Sequence, residues 1–82
     1  MMKQNQIIHQ AIEREISLGK FLLSRYAEKI KGLEKKYKVK TAIFILQFAK
    51  GAMGDEQDFF EWLALYNGKK RWEEKLSALA AA

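Results

Sequence analysis

The chain predicts an all-α fold: a long N-terminal helix, a short apolar middle helix and a C-terminal helix. The expected arrangement is a helical hairpin or three-helix unit completed by dimerisation. Three observations carry this. Apolar residues recur at steps of three and four through most of the 82 residues, which is helical periodicity. There is no proline to punctuate loops or strand edges. No pair of convincing strands exists, and an isolated strand has nothing to pair with.

The first helix is expected over residues 4–37. Ile8, Ile12 and Ile16 are spaced by four, and Leu22, Tyr26, Ile30, Leu33 and Tyr37 continue at steps of four, four, three and four. Such a helix is about 50 Å long at 1.5 Å per residue. That exceeds what a small globule needs, so it should pair with another chain or with the C-terminal helix. Gly19 costs about 1 kcal/mol relative to alanine inside a helix. It marks either a kink or a close approach of a second helix.

A break is expected over residues 39–41, with Thr41 as the N-cap of the next helix. That helix, residues 42–50, ends at Gly51, a C-cap residue type. Ala42, Ile43, Phe44, Ile45, Leu46, Phe48 and Ala49 surround it almost completely. A strand over residues 41–48 is the alternative, because β-branched and aromatic residues are enriched here. Helix is preferred for want of a partner strand. An apolar helix without a polar face must be covered on several sides, here by a second copy or another protein. Ile43, Phe44, Ile45 and Phe48 are the expected dimer seam.

The third helix is expected over residues 56–78. Asp55 reads as its N-cap, with Asp58 at the third helical position, and Glu56, Asp58 and Glu61 suit the positive end of the helix dipole. Its apolar residues form two stripes, Phe59, Trp62, Leu63 and Tyr66, then Leu65, Trp72, Leu76 and Leu79. Either the helix breaks at Asn67-Gly68 or it packs against two surfaces. The alanine-rich end should fray.

Composition narrows the function classes. A single helical domain of residues 1–82 has a marginal core. It contains no cysteine, so no disulfide, thiolate metal site or cysteine nucleophile is available. Hydrophobic residues make up 49%, too many for a disordered chain. The formal charge of +5 is uneven: residues 1–50 hold eleven Lys/Arg against four Glu, and residues 51–82 four against six acids. This favours contact between the basic half and an acidic surface. No signal peptide is legible, since His9, Glu13, Arg14 and Glu15 interrupt the first nineteen residues. The longest apolar run, residues 42–46, is far short of a membrane span. A cytoplasmic protein is the expectation, with no membrane partner.

Catalytic chemistry finds little support, and no catalytic, metal or cofactor residue is assigned. His9 and Glu13, one turn apart, are two ligands where a metal site needs more. Ser17, Ser24, Thr41 and Ser77 lack an identifiable base, and Gly51 and Gly54 precede acids rather than the lysine of a phosphate loop. Nucleic-acid binding is the alternative function. Lys29, Lys31, Lys35, Lys36, Lys38 and Lys40 form one basic stretch and Lys69-Lys70-Arg71 a second. Lys35, Lys36, Lys38 and Lys40 are its candidate contacts. Phe59, Phe60, Trp62 and Tyr66 could stack bases, though at helical spacing such residues more often serve a core or protein interface.

Leu33-Glu34-Lys35-Lys36-Tyr37, a short helix, and then Gly51-x-x-Gly54-Asp55-Glu56-x-Asp58-Phe59-Phe60-Glu61-Trp62 together resemble a group of small prokaryotic antitoxin-like proteins of toxin–antitoxin pairs. The resemblance covers residues 30–66. It implies a helical interaction protein that binds and neutralises a toxin partner; no enzymatic activity or cofactor is expected, and the apolar middle helix makes a homodimer the expected state. This chain has Lys38-Val39 where that group usually has Gly-Met, and an apolar middle helix where the group has a polar one. Phe59, Phe60, Trp62 and Tyr66 are the candidate anchors, laid as an amphipathic helix into an apolar groove.

Overall fold

The computed structural model describes residues 2–54 and 56–81, and all the regular structure among them is helical: α1, Met2–Tyr37; α2, Thr41–Ala49; and α3, Gln57–Ala81. α1 and α3 pack as an antiparallel hairpin, with α2 folded against α3 at the closed end. The molecule measures 57 × 21 × 18 Å. Its long axis is α1 itself, whose 36 residues span about 54 Å.

α1 runs without interruption through Gly19, because that glycine is a point of contact and not a kink. A Cβ there would lie 2.7 Å from Trp72 Cε3 and 2.8 Å from Leu76 Cδ2, so only glycine lets α3 approach this closely. Gly68 repeats the device from the other side. α3 continues through Asn67-Gly68, and a Cβ on Gly68 would meet the Tyr26 ring at 3.3 Å. Each long helix thus offers a glycine to an aromatic ring of its neighbour. α3 packs against two surfaces along its length, and Leu65, expected in the stripe of Trp72 and Leu76, joins the core instead. Phe59 and Trp62 face α2 and the end of α1, whereas Trp72 and Leu76 lie on α1 at Gly19.

The turns are set by backbone chemistry. Val39 N donates to Glu34 O, 3.2 Å, which closes α1 with Lys38 in the left-handed region at φ 56. This is the bond of a Schellman motif, at a position where glycine is the usual occupant. Gly51 occupies the equivalent position after α2 at φ 74, and both bonds of the motif form, Ala52 N to Gln47 O and Gly51 N to Phe48 O. Gly51 therefore closes α2 as its residue type predicts.

The start of α2 differs from expectation. Thr41 is the first helical residue rather than the N-cap, and Lys40 holds the cap position with no side-chain cap bond. The capping oxygen comes from α1 instead: Glu34 Oε2 accepts from Thr41 N and from Thr41 Oγ1, both at 2.8 Å. The expected N-cap Asp55 lies outside the described residues.

The buried core is small and lies at the α2 end. Ile30, Phe44, Phe59 and Trp62 are its centre, with Leu33, Tyr37, Val39, Ile45, Phe48, Met53 and Leu65 around them. Phe44 and Trp62 stack face to face, 4.0 Å between centroids and 4° between planes. None of the described helices is long and apolar enough to cross a membrane.

Candidate functional site

The aromatic residues expected to anchor a partner divide into two sets. Phe59 and Trp62 are core residues, 5% and 0% exposed, so in this fold they cannot reach a partner. Tyr37 covers Phe59 at 5.0 Å, and Phe44 covers both rings. Phe60, the next residue after Phe59, points outward and is 54% exposed, with its ring edge-on to Phe48 at 5.5 Å. Tyr66 is half-buried, and the Lys70 ammonium lies 5.9 Å from its ring centre. The helical phase decides this split. α3 can bury only one face against α1 and α2, and Phe59 and Trp62 share that face.

The expected dimer seam divides in the same way. Phe44 is fully buried, and Ile45 and Phe48 are half-buried against the core. Ile43 remains 47% exposed and Leu46, one turn further on, 59%. The free face of α2 is therefore carried by Ile43 and Leu46, not by Phe44. Leu46 was legible as part of the apolar run, but its outward direction depends on which side α3 covers.

A polar network ties the closed end together. Trp62 Nε1 donates to Thr41 Oγ1 at 3.1 Å, and Thr41 Oγ1 donates on to Glu34. One threonine thus links all three helices. The backbone N–H of Thr41, followed by its hydroxyl and the nearby Lys40 and Lys69, holds the Glu34 carboxyl below its ordinary value of 4.5, against a smaller opposing effect of burial. On the other side of α1, Asp58 Oδ2 accepts from Lys36 Nζ at 2.6 Å and from Tyr37 Oη at 2.5 Å. Lys36 and then Tyr37 hold the Asp58 carboxyl below its ordinary 3.8. The same bonds raise Lys36 and Tyr37 above their ordinary values. Asp58 sits in the first turn of α3, as the dipole argument requires, yet its carboxylate bonds to α1 across the hairpin.

The lysine run is also divided. Lys35, Lys38 and Lys40 line one hollow of about 460 Å³, together with Lys31, Glu34 and Val39. Lys36, expected among them, is committed to Asp58 and does not line it. Lys69 joins from α3 through an adjoining hollow of about 390 Å³ that shares Lys31 and Glu34 and includes Tyr66 and Thr41. Lys31 could have been found from its spacing, four before Lys35 and seven before Lys38. Lys69, 38 positions along the chain from Lys31, could not.

His9 and Glu13 form an exposed pair, Nε2 to Oε1 3.0 Å, and among the described residues no group of three or more His, Asp or Glu side chains is placed to hold a metal ion. Near the closed end the described surface carries the apolar outer face of α2 with Phe60 and the lysine-lined hollow. Compared with known protein families, characterised proteins and solved structures, the chain matches none.

Proposed function

We propose that this is a non-enzymatic helical interaction protein that binds a protein partner, of the toxin-neutralising kind implied by its resemblance to antitoxin-like proteins. The observation that carries the reading is the state of α2. It is apolar nearly all round, yet among its residues only Phe44 is buried, and Ile43 and Leu46 stand open to solvent. Exposed large apolar side chains on a helix that could have carried polar ones are an unpaid solvation cost unless another surface covers them. Phe60, on the adjoining turn of α3, is a large aromatic of the type that anchors interfaces. The partner would offer an apolar groove to α2, and Phe59 and Trp62 would hold α2 in place from behind.

Co-expression with the product of the adjacent gene tests this. The pair should co-purify and growth should be rescued, and Leu46→Asp with Phe60→Asp should abolish both while the free chain keeps its helical circular dichroism. Co-purification that survives both substitutions would remove α2 as the binding face. Sedimentation equilibrium of the chain alone tests the expected cytoplasmic homodimer. Its seam would be Ile43 and Leu46, and a monomer at micromolar concentration would leave this face to a different protein.

A further inference from the structure

The lysine-lined hollow has a composition that protein docking on α2 does not use. Four lysines, Lys31, Lys35, Lys38 and Lys40, line one concavity, and a fifth, Lys69, lines the hollow beside it. Glu34 is the single acid lining either, and its Oε2 is occupied by the Thr41 N–H and hydroxyl at 2.8 Å. Like charges gathered in a hollow repel one another and focus a positive potential where an anion would sit. A lone phosphate would satisfy one or two of these groups, whereas a chain of phosphates could satisfy all of them. Tyr66 lines the adjoining hollow next to Lys69, which sets an aromatic face beside the cationic track. A basic groove with an aromatic at its side is the arrangement by which single strands are held, through phosphate contacts and a stacked base.

We infer that the groove formed by Lys31, Lys35, Lys38, Lys40, Lys69 and Tyr66 binds a single-stranded nucleic acid through its phosphate backbone, with Tyr66 as a stacking platform. The track has two walls, the last two turns of α1 with its closing turn, and the middle of α3. The hairpin register places them side by side. Lys36 takes no part, since Asp58 holds it on the other side. The proposal does not depend on the partner face of α2, because Ile43, Leu46 and Phe60 line neither hollow.

Fluorescence anisotropy with labelled oligo-dT and oligo-U, a labelled duplex, and phosphatidylserine vesicles as a separate arm, tests this with the full chain. Single strands should bind, and four phosphate contacts predict about a fiftyfold weakening between roughly 50 and 200 mM salt. The variant Lys31→Gln, Lys35→Gln, Lys38→Gln, Lys40→Gln should lose at least about tenfold in affinity. The charge-matched control Arg14→Gln, Lys20→Gln, Lys29→Gln, Arg71→Gln, whose residues line neither hollow, should lose much less. Tyr66→Leu, which keeps bulk but not the ring, should weaken binding about fivefold. If the first variant loses its helical circular dichroism, the exposed pair Lys31→Gln, Lys35→Gln is compared with Lys20→Gln, Lys29→Gln instead. Equal losses in the groove variant and its control would overturn the proposal, because net charge alone would then explain the binding. Stronger binding of the duplex than of single strands, or binding to vesicles with none to either oligonucleotide, would overturn it as well.

Discussion

The two ends of the α1–α3 hairpin are built on different principles. At the α2 end, large rings are buried: Phe44 and Trp62 are fully enclosed, and Thr41 and Asp58 add hydrogen bonds that join separate helices. Along the shaft, the described residues contribute little full burial. Its contact depends on Gly19 meeting Trp72 and Leu76, with Lys75 bonded to Glu15 at 2.6 Å and lying 4.6 Å over the Trp72 ring. Phe21 and Leu18 remain exposed there, as do Ile7 and Ile8 nearer the start of α1. One end is stabilised by what fills it, and the other by an absence of side chain that lets backbones come close. The first kind of packing should fail when atoms are removed, the second when they are added.

Truncating the enclosed end should have the largest effect. Trp62→Ala removes the ring stacked on Phe44 and the donor to Thr41, and should cost about 3–5 kcal/mol. In a domain this small that is enough to abolish a cooperative urea transition. Thr41→Val is next. It keeps the shape but leaves Trp62 Nε1 without its acceptor and Glu34 without one donor, a loss of about 1–3 kcal/mol by urea denaturation. A wild-type midpoint would show that this network does not stabilise the closed end.

The shaft is tested by adding a methyl group. In Gly19→Ala, overpacking against Trp72 and Leu76 costs about 1–3 kcal/mol, offset by roughly 1 kcal/mol of helix propensity, so a net loss of up to about 2 kcal/mol is expected. Gly32→Ala has open space around it and should stabilise by about 1 kcal/mol. Opposite shifts in melting temperature from one chemical change within one helix would separate contact from propensity. Equal shifts would show that the Gly19 approach is not close in solution.

The smallest effect concerns pH and belongs to the closed end alone. Glu34 and Asp58 have folded-state values depressed below 4.5 and 3.8. Their contribution is therefore fully present above those values and lost as pH falls through the depressed ones. Lys36 and Tyr37 are raised above 10.5 and 10.0, so their share is present below those values and lost as pH rises further. The melting temperature should be level from about pH 5 to 9 and fall on both sides. Asp58→Asn should flatten both limbs, because it removes the shared partner of Lys36 and Tyr37. An unaltered acid limb in that variant would show that Asp58 does not contribute to it.

The order and kind of the helices were legible because they depend on local chemistry. Apolar spacing of three and four, the absence of proline and the glycine after Lys50 act within a few residues of themselves, and the structure contains the elements they imply. Asn67-Gly68 was ambiguous for the same reason. It is a break signal locally, and only Tyr26, forty-two positions earlier, explains a glycine held inside a helix there. The candidate site was legible by residue type and not by direction. Phe59 and Phe60 are identical side chains one position apart, yet one is in the core and the other in solvent.

By itself, then, the sequence determined three helices, the closing role of Gly51 and a basic first half. Each follows from backbone propensity or from counting charges, which needs no knowledge of distant residues. Tertiary structure alone decided that Phe44, Phe59 and Trp62 are interior, that Lys36 turns to Asp58 while Lys69 joins Lys31, and that Glu34 caps α2. Those outcomes depend on which faces the helices present to one another, and side chains far apart in the chain meet only once the hairpin register has been set.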